Sequence, residues 1–224
     1  MTQSANYRES LYCNNCHSTA RTRMLASGIL EVVGDPSCHC VADLAMAAVG
    51  PEILDTDCYS PIFQHLIKAN FYSSTVYLPE REYGTEVYSK VTNVNLEHMP
   101  FEDESFDIIL TSDVMEHVRR DHLAHTEIHR CLKRLGYYIF TVPFVPQWER
   151  NQIRVDSSGT EDIPLMENEY HGDPVSGKGI LVYRIYGNEL IEQLRNLGFE
   201  VKFESQPDVH GGMLTKDLFI CRKL

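Results

Sequence analysis

A chain of 224 residues, 43% hydrophobic and 23% charged, has room for one α/β domain with a sizeable core and too little for two ordinary domains. Its formal net charge of −12 lacks the basic face that binding to a phosphate backbone needs, so nucleic acid is not an expected partner. Its apolar runs fall far short of the roughly 20 residues of a membrane-spanning helix, and Met1–Ser4 leads into polar sequence with no visible signal peptide, so a cytoplasmic location away from membranes is expected.

Residues 1–24 read as irregular, with Cys13-Asn14-Asn15-Cys16 followed by Arg21 and Arg23. Seven cysteines, four of them within the first 40 residues and none behind a secretory segment, point to reduced thiols or metal ligands rather than disulfides. Cys13 and Cys16 have the spacing of a zinc-ligand pair, which Cys38-His39-Cys40 would have to complete although its own spacing is one residue too tight for a usual knuckle; free thiols are the alternative. Residues 37–49 read as a helix capped by Ser37 and stopped by Gly50-Pro51. A short strand at Ile53-Leu54-Asp55 precedes a helix with Pro61 at its first position, where a missing N–H is harmless. Strands follow at 71–78 and 91–94 with loop between them, then a strand at 106–110, a helix at 122–134 and a strand at 138–142. Residues 145–180, broken by Pro146, Pro164 and Pro174, form a long insertion, a kind of element that usually carries function. A helix over 187–197 closed by Gly198 leads to two strands, 199–203 and 218–222, paired as a hairpin. Strands alternating with helices and ending in a hairpin predict a mostly parallel, Rossmann-like sheet with an antiparallel edge and helices on both faces. The organisation expected is a cysteine-containing segment over 1–36 and one α/β domain over 37–224.

The most specific stretch runs from Asn95-Leu96-Glu97-His98-Met99-Pro100-Phe101-Glu102-Asp103-Glu104-Ser105-Phe106-Asp107 through Asp113-Val114-Met115-Glu116-His117 to Lys133-Arg134-Leu135-Gly136. Polar loop, acidic turn, buried strand, charged strand end, helix and strand make a right-handed βαβ unit with a functional edge at the carboxyl end of its first strand. This stretch resembles the second half of class I S-adenosylmethionine-dependent methyltransferases, where D-x-x-x-L-P-F-x-D-x-S-F-D precedes the fourth strand and E-H follows it. Glu169-Tyr170-His171-Gly172-Asp173-Pro174, followed by Gly177–Arg184, is similar to the tail of a bacterial subgroup of that family often found fused to or near glycosyltransferases, and Arg21 and Arg23 follow the Cys13–Cys16 pair much as in that subgroup, which implies a docking element beside the cofactor site as a further alternative for that segment. The resemblance implies a seven-stranded sheet, S-adenosylmethionine as cofactor and a small-molecule or glycan-type acceptor, with a homodimer allowed for.

The family's glycine-rich loop after the first strand has two candidates, Ile29-Leu30-Glu31-Val32-Val33-Gly34-Asp35-Pro36 and Ile53-Leu54-Asp55-Thr56-Asp57-Cys58. Counting back from Asn95, which aligns with the family's third-strand carboxylate, favours the second, although it has no glycine and must hold cofactor through a wider turn or through side chains. The cofactor set the resemblance implies is Asp55, Asp57, Thr75, Asn95, Leu96, Thr111 and Ser112.

Glu116 and His117 either cap the following helix or act as proton-transfer groups, since an imidazole's ordinary pKa suits a base at neutral pH. Asp113-x-x-Glu116-His117 is also similar to a metal-binding cluster of ubiquinone-pathway O-methyltransferases, and two carboxylates with an imidazole suit a divalent ion. His171 and Asp173 are candidates for contact with the acceptor, a Gly-Asp-Pro turn with an incidental histidine being the alternative. The catalytic set expected is thus His117, Glu116 and His171. The missing glycines leave a second reading open, a family member that binds a ligand or partner without transferring methyl groups.

Overall fold

The computed structural model describes residues 7–10, 12–172, 179–208, 212–213 and 217–224. Thr19, whose hydroxyl accepts from the Thr22 amide at 3.3 Å, caps a helix that the sequence reading did not place. After the short α1 (Tyr7–Ser10), this helix, α2 (Ala20–Val33), buries Met24, Leu25 and Ile29 and ends at Gly34, whose positive φ of 65° suits a glycine. Gly34 is therefore a helix cap, which removes the first of the two loop candidates. The expected helix over 37–49 shortens to α3 (Val41–Ala45), capped at Cys40 instead of Ser37, with the Asp43 carboxylate accepting from the His39 and Cys40 amides.

From there strands and helices alternate: β1 (Ile53–Asp55), α4 (Pro61–Leu66), β2 (Tyr72–Val76), β3 (Glu86–Tyr88), β4 (Val91–Asn93), β5 (Phe106–Ser112), α5 (Asp121–Cys131) and β6 (Leu132–Thr141). The insertion folds into short pieces, β7 (Gln152–Ile153), β8 (Val155–Asp156), β9 (Ile163–Pro164), β10 (Tyr170–His171), β11 (Ile180–Leu181) and β12 (Arg184–Ile185). The chain closes with α6 (Glu189–Asn196), β13 (Phe199–Glu204) and β14 (Leu218–Lys223).

Among the described residues eight strands form the main sheet, in the order β13-β14-β6-β5-β1-β2-β4-β3. The pairs β6–β5, β5–β1, β1–β2 and β2–β4 are parallel, while β13–β14, β14–β6 and β3–β4 are antiparallel. The fold is the expected Rossmann-like one with an antiparallel hairpin, plus an eighth strand, β3, inside what reads from sequence as loop. The chain runs outward from β1 through β2 to β4 and then returns to β5 on the other side of β1. That reversal opens a crevice at the carboxyl ends of β1 and β5, the usual place for a ligand on such a sheet.

Alternation along the central strands fills both faces. Ile108 and Leu110 of β5 and Ile139 of β6 pack with α2 and α4, whereas Ile109, Tyr138 and Phe140 pack with α5 and α6. On the second face Tyr138, Phe140 and Phe219 stack, with ring centroids 4.3 and 4.7 Å apart. Residues of the expected N-terminal segment thus contribute a helix to the same core. No helix among the described residues is long and apolar enough to cross a membrane.

Gly187 turns the insertion into α6. A Cβ there would lie 2.5 Å from the Arg150 carbonyl oxygen and 2.7 Å from that of Trp148, both backbone atoms that cannot rotate away. Gly187→Ala is expected to destabilise the protein by about 1–3 kcal/mol, the usual range for overpacking, read as a lowered midpoint in urea unfolding.

Candidate functional site

The carboxyl end of β1 runs directly into α4 through a loop without glycine, and side chains shape it. Asp55 Oδ1 accepts from the Asp57 amide at 3.0 Å, Asp57 Oδ1 accepts from the Tyr59 amide at 2.9 Å, and Ser60 Oγ accepts from the Phe63 amide at 3.0 Å to cap α4. Consecutive Asx-type caps here do what glycines do by conformational freedom. Asp55 is buried and also accepts from the Tyr72 hydroxyl at 2.8 Å. Burial, with Asp57 close by, pushes its carboxyl up to about 7. Burial raises the Asp57 carboxyl too, with Arg21 pulling the other way.

Over this loop lies a cleft of about 520 Å³, bounded by the start of α2, the start of α4, the end of β5 and the insertion. Of the expected cofactor residues, Asp57 and Ser112 line it. Asp55, Thr75, Leu96 and Thr111 are buried and do not line it. The Thr111 hydroxyl is 2.9 Å from the Tyr138 hydroxyl inside the core, which gives it a packing role. Asn95 closes a turn, its Oδ1 accepting from the Glu97 amide at 2.9 Å. Strand β2 runs on past Thr75 to Val76, and beyond its end the exposed rings of Tyr77 and Tyr83 stack 6.0 Å apart.

The lining residues missed from sequence are chiefly Thr19 and Thr22 at the start of α2 and Tyr59 and Ser60 ahead of α4, while Arg21, of the segment read as a docking element, lines the cleft as well. A Thr-x-x-Thr ahead of Met24, Leu25 and Ile29 was the available signal of a helix start. Arg21 joins this segment to the sheet. Its Nη1 donates to Ser112 Oγ at 2.7 Å, its Nε donates to Glu9 at 2.8 Å, and its Nε lies 3.5 Å from Asp113 Oδ2. Asp113, in the left-handed region at φ 50°, accepts both terminal nitrogens of Arg8 at 2.6 Å. Burial raises its carboxyl, but Arg8 and then Arg21 overrule that and hold it below the ordinary value.

The structure brings the expected catalytic residues together. Glu116 and His117 sit in a single 3-10 turn after β5, and His171 reaches them from β10. Glu116 Oε1 is 3.7 Å from His117 Nε2 and 3.8 Å from His171 Nδ1, and the two rings meet edge to face at 5.0 Å. His117 Nδ1 is 2.8 Å from the Leu181 carbonyl; a carbonyl only accepts, so Nδ1 carries the hydrogen and Nε2 keeps its lone pair. Burial lowers the His117 pKa, the Leu181 carbonyl pulling the other way, so the ring is neutral at pH 7. Burial, then Asp113, pushes the Glu116 carboxyl well above its usual range. Gly172, next to His171, lines the cleft, so the triad adjoins it. Asp173 lies outside the described residues.

Cys13 and Cys16 flank one turn, where the Cys13 thiol is lowered by hydrogen bonds from the Cys16 and Asn15 backbone and from the Cys16 side chain. Among the described residues, no third cysteine, histidine or carboxylate joins them to make a metal-ligand group, and Cys38 and Cys40 do not complete the set.

Residues 58–140 match the family model described as a methyltransferase domain. The match covers less than half of the chain. It spans α4 to β6, including β5 and its charged end, and the cleft lies at its edge. No curated protein matches the chain. Among solved structures, an S-adenosylmethionine-dependent methyltransferase from Methanosarcina mazei is 20% identical, with 78% of this chain and 92% of that one covered and a TM-score of 0.49. The 1,6-didemethyltoxoflavin-N1-methyltransferase of Burkholderia thailandensis, solved with 1,6-didemethyltoxoflavin and S-adenosylhomocysteine bound, is 14% identical, with coverages of 91% and 78% and a TM-score of 0.48. An S-adenosylmethionine-dependent methyltransferase from Mesorhizobium loti is 13% identical, with coverages of 81% and 94% and a TM-score of 0.47.

Proposed function

We propose that this protein transfers a methyl group from S-adenosylmethionine to a small-molecule or glycan-type acceptor. The observation that carries the reading is the cleft over the carboxyl ends of β1 and β5, at the edge of a matched methyltransferase domain and beside a carboxylate–imidazole cluster. Asp57, Ser60, Thr19, Thr22 and Arg21 offer polar contacts of both signs, which suit the zwitterionic methionine end of the cofactor. The Tyr77–Tyr83 pair at the end of β2 offers a surface on which an adenine ring can stack. The transfer itself is an in-line displacement at the methyl carbon, for which orientation does most of the work. An acceptor hydroxyl also has to lose a proton. His117, neutral and with Nε2 free to accept, is the base in this reading, and His171 contacts the acceptor from the insertion.

S-adenosylhomocysteine is expected to bind and to raise the melting midpoint by roughly 5–10 °C at a hundredfold excess over its Kd. Thermal shift followed by calorimetry tests this. No shift and no heat at millimolar ligand would overturn the reading. The second reading, ligand or partner binding without transfer, would then take its place; the glycine-free loop at Asp55–Ser60 is the observation that favours it.

A further inference from the structure

We propose that Glu116, His117 and His171 form a binding site for a divalent first-row transition-metal ion of the zinc class. One ligand atom from each residue lies within 4.8 Å of the other two. An ion held at 2.0–2.1 Å sets its ligand atoms roughly 3.3 Å apart, so the two edges to Glu116, 3.7 and 3.8 Å, close by a few tenths of an ångström, and the edge between the two imidazoles, which lies within 4.8 Å, is the one that sets how far His171 must move.

Three independent features favour a metal over an incidental cluster. The first is Glu116 itself. Its side chain is fully buried, and neither carboxylate oxygen has a hydrogen-bond partner among the described residues. A buried carboxylate left unpaired is costly and calls for a cation or other partner. The second is the tautomer of His117, in which the Nδ1 hydrogen goes to the Leu181 carbonyl and the Nε2 lone pair faces Glu116. The third is the arrangement around His171. Its Nε2 pairs with Glu169 Oε1 at 3.3 Å while its Nδ1 faces Glu116, and Glu169 is held in turn by Arg154 at 3.3 Å. An outer carbonyl or carboxylate behind each ligating imidazole is the support that metal-bound histidines have. Two imidazoles and one carboxylate suit zinc, cobalt or iron(II) rather than magnesium or calcium. Three protein ligands leave a position open to a water or an acceptor oxygen.

This set differs from the Asp113, Glu116 and His117 group that the sequence pattern suggested. Asp113 is committed to Arg8 and Arg21, and His171 takes its place. The site does not depend on cofactor binding, but it excludes one role proposed above: with Nε2 bound to an ion and Nδ1 donating to the Leu181 carbonyl, His117 has no lone pair left to accept a proton, so it acts as the base only in the metal-free protein.

The test is titration of the metal-stripped full-length protein with Co²⁺, followed by its visible d–d bands, and competition with Zn²⁺. The wild type is expected to bind one equivalent with no thiolate charge-transfer band. Glu116→Gln, which is isosteric, and His171→Ala, on a partly exposed hairpin, should each weaken binding by at least about tenfold. A Cys13→Ser/Cys16→Ser double variant should bind as the wild type does. Absence of binding by the wild type overturns the proposal. So does unchanged affinity in folded Glu116→Gln and His171→Ala variants, or loss of binding in the cysteine variant alone. Titrating the same samples with S-adenosylhomocysteine separates the two ideas, because cofactor binding without metal binding removes this site and leaves the transfer reading standing.

Discussion

In the metal-free protein, replacing His117 by alanine is expected to slow turnover about 10²–10⁴-fold while changing S-adenosylhomocysteine affinity little. The imidazole stands on a rigid turn directly after β5, is oriented by the Leu181 carbonyl, and presents an unprotonated Nε2 toward the cleft-side cluster. It does not line the part of the cleft assigned to the cofactor, so its loss should fall on the rate of transfer and not on cofactor binding. The measurement is transfer of labelled methyl groups to hydroxylated small molecules and glycans, with His117→Ala and His171→Ala assayed on any acceptor found. His171→Ala should raise KM more than it lowers kcat. Wild-type rates in both variants would mean that neither imidazole moves the proton and that the acceptor is nucleophilic by itself.

The parts of the fold that were legible are those whose pattern is local and strong. Phe106–Leu110 and Tyr138–Val142 are runs apolar but for Asp107 and Thr141, and they fall on adjacent central strands. The helix closed by Gly198 and the final hairpin follow equally from local signals. Helix α2 was missed because Ile29-Leu30-Glu31-Val32-Val33 is a short β-branched run that periodicity alone cannot assign. Its packing on β5 and β6 and its caps at Thr19 and Gly34 decide for a helix. The early start of β6 was missed for a different reason. Lys133–Gly136 continues a helical charge pattern, yet it adds to the sheet through an irregular register that puts Leu135 at φ 65° and Gly136 against the Asp107 carbonyl.

The site was legible by parts and not as a whole. Glu116 and His117 announce themselves at the end of a strand, but their meeting with His171 depends on how the insertion folds back. The pairing of Tyr170 with Leu181 fixes that return, because the Leu181 carbonyl also anchors His117. Asp55, Thr75, Leu96 and Thr111 are interior, because a family spacing does not fix where each strand of this chain ends. The actual edge of β2 lies beyond Thr75, at Val76 and the exposed Tyr77.

The protein is expected to lose about 3 kcal/mol of stability between neutral pH and pH 4 through one residue outside the site, His125. It lies on the buried face of α5 against Tyr138 and Phe140, with ring centroids 5.9 and 6.2 Å away, and neither ring nitrogen makes a hydrogen bond among the described residues. Burial, opposed by Asp121, pushes its pKa from 6.5 down to about 4. Above pH 6.5 the ring is neutral in both the folded and the unfolded chain and pH has no leverage. As pH falls through 6.5 the unfolded chain takes up a proton that the folded one refuses, so stability drops until the folded pKa is reached. The gap from 6.5 to about 4, at about 1.4 kcal/mol for each pH unit, gives the stated loss. Asp113, held ionised by Arg8 and Arg21, adds its own loss in acid, so the comparison must be made against a variant and not against pH 7 alone. His125→Leu, similar in volume and without titratable nitrogens, should be at least as stable at pH 7 and should flatten the acid limb by about 3 kcal/mol. Urea unfolding at pH 7, 6, 5 and 4 on both proteins measures the difference. Parallel stability curves would show that His125 is protonated, or hydrated, in the folded state.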